Sequence, residues 1–107
     1  MLTLSKQNLS TELRVLSYII INSEDWRDLN SKIDLVDMIK NHQTVIFDVL
    51  TSVKLQRVGR EIEEACSDLS ETEFHEGSAE AIDDYRNKIV ELTMPYMPII
   101  LHCLEGK

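Results

Sequence analysis

Apolar residues recur at helical spacing along most of the chain. The first stripe advances in steps of four, three and four residues and consists of Leu9, Leu13, Leu16 and Ile20. A second stripe advances in steps of three through Ile33, Val36 and Ile39, and it also includes Leu35 and Met38. Steps of this size keep side chains on one face of an α-helix. The pattern therefore predicts two amphipathic helices, and Ser31 followed by Asp34 resembles a capping box at the start of the second.

The beginning of the stretch 44–69 is compatible with either a strand or a helix. It contains two overlapping apolar sets, one at strand spacing and one at helical spacing: Val45, Phe47 and Val49, and Ile46, Leu50 and Val53. The apolar pattern then continues to Leu69 with Gly59 as the only turn-forming residue. Because strands are rarely this long, we predict one helix over 44–69. Gly59 inside it indicates a kink or a close contact between helices.

Turn-forming and capping residues divide the rest of the chain. The polar stretch 70–78 contains Gly77 and predicts a loop, after which Ser78 can cap a further helix. The apolar stripe of that helix begins at Ala81 or Ile82 and continues through Tyr85, Ile89 and Leu92. We expect Pro95 to end or kink this helix and Pro98 to begin a short last helix over 98–104.

These elements predict an all-α fold: a single-domain bundle over 1–107, with about four helices and a short C-terminal helix after the proline break. The length of 107 residues suits one domain with one core. Charged residues make up 28% of the chain, which is typical of a folded soluble protein. No apolar run approaches the roughly 20 residues that cross a membrane, so we expect no membrane partner. Cys66 and Cys103 lie among apolar residues, which indicates reduced, buried thiols and a cytoplasmic location.

Negative charge is concentrated in one segment. The chain has a net charge of −8, and residues 61–84 contain ten acids and no Lys or Arg. Several of these acids stand four residues apart, and such like-charge pairs destabilise a helix by about 0.2–0.5 kcal/mol each. A surface of one sign speeds association with an oppositely charged partner. The segment is therefore either a solvated surface that keeps the protein soluble or a binding surface for a basic protein.

An aromatic residue stands inside this acidic segment. Phe74 is either an apolar anchor for a partner or a side chain that folds back over the core. The residues that we predict to bind a partner are Asp68, Glu71, Glu73, Phe74, Glu76, Glu80, Asp83 and Asp84.

Three basic residues precede the acidic segment at a spacing of three: Lys54, Arg57 and Arg60. Three positive charges do not outweigh the acidic remainder, so nucleic acid is not an expected partner. We expect these bases to pair with acids of a neighbouring helix or with the acidic segment of a second copy. The second alternative would make a homodimer.

The sequence contains no strong catalytic, metal-binding or cofactor-binding pattern. Zinc ligands normally occur in close pairs, whereas the histidines here are far apart. The six residues that begin with Arg86 and Asn87 resemble the Arg-Asn-x-x-x-His motif of helical ribonucleases of the HEPN type. Glu91 stands where that motif has its histidine, and a carboxylate there would repel an RNA phosphate. We therefore predict no enzymatic activity and no cofactor.

The preferred function is a non-enzymatic inhibitor of the immunity or antitoxin type, which would occlude a basic protein such as a nuclease toxin. Its carboxylates would occupy the sites where nucleic-acid phosphates bind. The alternative is a small secretion or assembly chaperone that holds a partner helix in an apolar groove. Met94, Met97 and the segment 98–104 would line that groove. Binding driven by electrostatic attraction weakens with added salt, whereas binding through apolar contacts does not.

Overall fold

The computed structural model describes residues 6–22 and 29–106 of the chain. Every regular element in these two ranges is helical, which confirms the all-α prediction. The elements are α1 (Lys6–Asn22), α2 (Leu29–Asn41), α3 (Gln43–Ser52), α4 (Gln56–Phe74), α5 (Ala79–Thr93), a 3₁₀ turn (Met94–Tyr96) and α6 (Met97–Leu104). None of the helices in these ranges is long and apolar enough to cross a membrane.

The predicted apolar stripes face the interior. The core residues on α1, α2 and α4 are Leu9, Leu13, Ile20, Leu35, Val36, Ile39, Ile62, Ala65, Cys66 and Leu69, each at most 3% exposed. On α5 the stripe shifts towards Ile89 and Val90, while Ile82 and Tyr85 lie half-buried at its edge. Helical periodicity thus locates the interior face of most helices, because apolar burial drives their packing.

The capping and proline predictions for the second half of the chain hold. The Ser78 hydroxyl accepts a hydrogen bond from the Ala81 N–H at 3.1 Å and so caps α5. The 3₁₀ turn that contains Pro95 ends α5, and Pro98 is the second residue of α6. The buried side chains of α6 fix it in the core.

Residues 44–69 do not form one helix, so that prediction is wrong. Lys54 adopts the left-handed backbone conformation, with a φ of 65°. The Lys54 N–H donates to the Thr51 carbonyl at 3.0 Å, and the Leu55 N–H donates to the Leu50 carbonyl at 2.7 Å. These two bonds form a Schellman motif, which ends α3. Glycine usually occupies the left-handed position of this motif, and the sequence has lysine there.

The predicted loop over 70–78 is also too long, because α4 continues to Phe74. A second Schellman motif ends this helix, with Glu76 in the left-handed conformation at a φ of 53°. The Gly77 N–H donates to the Thr72 carbonyl at 2.8 Å. A Cβ atom at Gly77 would collide with the Thr72 side chain, so this close approach requires glycine.

The consecutive helices α4 and α5 pack against each other and form a helical hairpin on one side of the molecule. α5 also packs against α2, and α3 lies against α4 and α6. α1 packs against α2 and α6. Gly59 of α4 lies against Phe47 of α3, and a Cβ atom there would come within 2.7 Å of the Phe47 ring. This contact confirms the prediction of a close approach between helices at Gly59.

Candidate functional site

The acidic segment 61–84 forms the outer part of the α4–α5 hairpin, which we call the acidic hairpin. It comprises most of α4, the four-residue turn 75–78 and the first turns of α5. The Schellman motif at Glu76 and the Ser78 cap hold the two ends of the turn. The acids of segment 61–84 are therefore carried by two packed helices and the turn that joins them.

Phe74 lies at the tip of the acidic hairpin and does not cover the core. Its side chain is 82% exposed, the largest exposure among the large hydrophobic residues that the structure describes. The ring meets the His75 ring edge-on, with centroids 5.2 Å apart. Of the two alternatives for Phe74, the fold-back over the core is wrong. The helix explains this result, because Phe74 points away from the face that carries Cys66 and Leu69.

A shallow groove of about 350 Å³ lies beside the tip, between α4 and α5. Its lining residues are Asp68, Glu71, Thr72, His75, Gly77 and Tyr85. Two predicted site residues, Asp68 and Glu71, thus face the same opening as an aromatic ring. An aromatic face and nearby carboxylates both attract a cationic side chain.

Two acids of the hairpin are paired within the chain. Glu73 lies 3.4 Å from the Lys40 ammonium of α2. Asp83 lies 2.6 Å from the Lys32 ammonium, also of α2. Lys32 is only 2% exposed, so its bond with Asp83 joins α5 to the core. These two predicted site residues therefore have a structural partner already.

The hydrogen bond from Lys32 lowers the pKa of the Asp83 carboxyl below its ordinary value of 3.8, against the opposing effect of desolvation. The Lys32 charge and a hydrogen bond from Asn87 act in the same direction. Asn87 also accepts from the Lys32 ammonium at 2.9 Å. Asn87, which belongs to the six residues that resemble the HEPN motif, is thus part of this partly buried polar contact.

The other eight carboxylates of the acidic hairpin have no ion pair with any described base. Five of them are predicted site residues, and all five side chains are exposed: Asp68, Glu71, Glu76, Glu80 and Asp84. Their charge is available to a partner, since no internal base neutralises it in the ranges 6–22 and 29–106.

Lys54, Arg57 and Arg60 are exposed at the other end of α4. None of them lies within ion-pair distance of an acid of the described residues. The expected pairing with a neighbouring helix is therefore not found there. α4 carries positive charge at its start and negative charge along the rest of its exposed surface.

The described residues show how the possible metal ligands and the two thiols are placed. They contain no cluster of three or more His, Cys, Asp or Glu side chains that could hold a metal ion. Burial raises the pKa of the Cys66 thiol to about 11, and the Lys40 charge only partly offsets this effect. A thiol with such a pKa is a poor nucleophile at neutral pH. Cys103 is half-buried, and both cysteines are free.

Two features of the site were not found from the sequence. Tyr85 was assigned to the core stripe of α5, but it also lines the groove. Lys32 was not singled out, although it lies four residues before Val36 and so shares the apolar face of α2. A charge on an apolar stripe is the signal that could have located this buried contact.

The chain was compared with protein-family models, curated proteins and solved structures, and none of them matched.

Proposed function

We propose that the chain is a non-enzymatic binding protein whose acidic hairpin occludes a basic protein, in the manner of an immunity protein or antitoxin that inhibits a nuclease. One observation supports this proposal above the others. Phe74 is 82% exposed at the tip of a hairpin most of whose acids form no ion pair with a base of residues 6–22 and 29–106. An exposed aromatic ring is unfavourable in water and becomes favourable when a partner covers it.

The carboxylates and the ring have different roles in this proposal. The carboxylates attract the partner from a distance and orient it, and this contribution decreases with ionic strength. Phe74 enters an apolar pocket or lies on an aromatic surface of the partner. A fully buried Phe side chain contributes roughly 1.5–3 kcal/mol, which is enough to be a hot spot.

The positions of the carboxylates support occlusion. A nuclease surface carries Lys and Arg side chains that neutralise phosphates. Asp68 and Glu71 stand three residues apart on α4 and present two carboxylates about one helical turn apart. Carboxylates at such sites would compete directly with the phosphates of the substrate. Glu73 and Asp83 contribute less, because Lys40 and Lys32 already hold them.

The test is capture of proteins from the cells that make this chain, at about 50 mM and about 500 mM salt. We expect a basic protein that is retained at low salt at least tenfold more than at high salt. Phe74→Ala should weaken its capture at least tenfold, whereas Ile99→Ala, an exposed apolar residue outside the hairpin, should not. Glu71→Gln should weaken it more than Glu91→Gln.

The captured protein is then assayed for nuclease activity with and without this chain. Inhibition that is lost in Phe74→Ala supports the proposal. A captured protein that is acidic, or one whose capture is indifferent to both hairpin substitutions, overturns it.

The chaperone alternative has no specific support in the described residues. The segment 98–104 and Met97 were expected to line an apolar groove. Met97, Ile100 and Leu104 are instead at most 4% exposed and belong to the core. A partner helix could reach them only if α6 left its place.

A further inference from the structure

The groove beside the tip of the acidic hairpin has one wall from each of its two helices. Its volume is about 350 Å³, and we call it the hairpin groove. Its lining residues are Asp68, Glu71, Thr72, His75, Gly77 and Tyr85. Positions 68, 71, 72 and 75 stand three or four residues apart, so they share one side of α4 and its C-terminal end. Tyr85 supplies the aromatic part of the opposite wall, from α5.

Contacts within the hairpin hold these walls in place. The Thr72 hydroxyl donates to the Asp68 carbonyl at 2.8 Å, and the Gly77 N–H donates to the Thr72 carbonyl at 2.8 Å. Tyr85 is half-buried and packs against the hydrophobic core. The hairpin groove is therefore formed before a ligand arrives, which lowers the entropy cost of binding.

The groups in the hairpin groove that could bind a ligand are not used by the fold. Within residues 6–22 and 29–106, the carboxylates of Asp68 and Glu71 form no ion pair and no hydrogen bond. In the same ranges the Tyr85 hydroxyl forms no hydrogen bond. The groove thus combines two unpaired negative charges with an aromatic ring.

This combination favours a cation whose charge is spread over a flat group. Carboxylates attract any positive charge, and an aromatic ring attracts a cation that lies over its face. An arginine guanidinium is planar, carries five N–H donors and is less strongly hydrated than a lysine ammonium. It can therefore lie against the Tyr85 ring and donate to Asp68 and Glu71 at the same time, which a compact ammonium does less well.

We propose that the hairpin groove binds an arginine side chain of the basic partner. The source of this arginine rests on the proposed function, whereas the preference of the groove for a guanidinium can be measured without the partner. His75 lines the groove, and its ring meets the Phe74 ring with centroids 5.2 Å apart. The groove and the exposed ring therefore lie side by side, and we expect the partner to present an arginine next to the apolar surface that receives Phe74.

Binding of N-acetyl-L-arginine methylamide to the whole chain tests the proposal. Binding is followed by NMR of the isotope-labelled protein at about pH 8, where histidine side chains carry little charge. We expect saturable shifts of the Thr72 and Gly77 amide signals with a dissociation constant of about millimolar, because a single exposed cation is held weakly. The lysine analogue has the same charge and should bind at least threefold more weakly. The citrulline analogue has a similar shape without the charge and should bind at least tenfold more weakly.

Two double variants separate the groove from the general negative charge of the hairpin. Asp68→Asn combined with Glu71→Gln removes both groove charges and should weaken binding of the arginine probe at least tenfold. Glu61→Gln combined with Glu64→Gln removes two exposed carboxylates at the same spacing on the same helix, outside the groove, and should weaken it less than twofold.

Substitutions of Tyr85 test the aromatic wall. Tyr85→Phe keeps the ring and should change the affinity for the arginine probe less than twofold, whereas Tyr85→Leu should weaken it at least threefold. The amide signals outside the groove show whether each variant keeps the fold. The double variant of Asp68 and Glu71 tests the proposal even if Tyr85→Leu does not fold, because both of its positions are exposed.

Three results overturn the proposal. One is the absence of saturable shifts up to about 20 mM arginine probe. Another is equal binding of the arginine probe and either analogue. The third is an equal loss of affinity in the two double variants, because long-range attraction would then explain the binding.

The groove and the proposed function can fail separately. A captured basic protein that depends on Phe74, but not on Asp68 and Glu71, overturns the assignment of the groove and leaves the proposed function standing. If the arginine probe binds in the groove and no basic protein is captured from the cells, the proposed function fails, while the preference of the groove for a guanidinium is supported.

Discussion

A lysine with 2% of its surface exposed needs a counter-charge, because an unpaired ammonium in a protein interior is strongly destabilising. Lys32 obtains it from Asp83, with Asn87 as a second acceptor. The apolar part of the Lys32 side chain packs with the α2 stripe while its end reaches α5. One residue thus fixes the position of α5 relative to α2, and with it one arm of the acidic hairpin.

Asp83→Asn should lower the free energy of unfolding by about 1–2 kcal/mol, because it removes the carboxylate that faces the buried Lys32 ammonium, although the Asp83 side chain is itself 41% exposed. Lys32→Met keeps the length of the side chain and removes the charge, so it should cost about 1 kcal/mol or less. Urea unfolding of the two single variants and the double variant measures the coupling between the residues. An Asp83→Asn variant as stable as the unsubstituted chain would contradict this role of Asp83.

The same pair predicts a pH dependence. The pKa of Asp83 is lowered in the folded protein, so the pair stabilises the fold above the ordinary pKa of 3.8 and loses this effect as the pH falls through the lowered value. The stability difference between the unsubstituted chain and Asp83→Asn should therefore be largest near neutral pH. It should narrow below about pH 3.8, where the carboxyl takes up a proton in the unfolded chain before it does so in the folded protein. If the stability difference between the two proteins stays constant down to the lowest pH at which the chain folds, the charge of the Asp83 carboxylate is not what stabilises the fold.

At the scale of the helix, the sequence predicted which face of each helix is buried better than it predicted the residue at which the helix ends. The steps between Leu9, Leu13 and Ile20 indicated the buried side of α1 correctly, since burial of apolar surface is the main reason for that spacing. The ends of α3 and α4 were missed for a different reason. Both use the Schellman motif with a residue other than glycine in the left-handed position, Lys54 and Glu76. Neither residue type signals a helix end.

Lys54→Gly should stabilise the protein by up to about 1 kcal/mol, because glycine adopts the left-handed conformation without the steric cost that lysine has there. Thr51→Gly is the matched control. It lies within α3 in an ordinary helical conformation, and it should destabilise by about 0.3–0.5 kcal/mol, the difference between the helix propensities of Thr and Gly. Thermal or urea unfolding measures both variants. If the two substitutions change stability in the same direction, the backbone at Lys54 is not strained.

At the scale of the whole molecule, charge is distributed unevenly between the acidic hairpin and the rest. The position of this charge along the chain was readable from the sequence, because it depends only on residue identity. The pairing of Glu73 and Asp83 with bases of α2 was not, since it depends on how α2 packs against the hairpin. The exposure of Phe74 could not be read from the sequence either, because it follows from α4 extending further than expected.

The unpaired carboxylates predict that added salt stabilises the fold. The melting temperature should rise between about 20 mM and 500 mM sodium chloride as repulsion within the hairpin is screened. Asp68→Lys replaces repulsion of Glu64 and Glu71 by attraction and should add about 1 kcal/mol at low salt. Thr51→Lys introduces a lysine away from these acids and should add less. A gain for Asp68→Lys that persists undiminished at high salt would exclude a charge effect.

The contact between Gly59 and Phe47 affects the position of Phe74, which lies far from it on the same helix. Phe74 is fifteen residues further along the same helix, about 22 Å away at the helical rise. Because a helix is stiff, a tilt of α4 at this contact moves the far end of the helix further than it moves the contact itself. A methyl group at position 59 would therefore displace Phe74 more than it displaces residue 59. The direction in which the hairpin points is therefore set by the absence of a side chain at Gly59, about 22 Å from the tip.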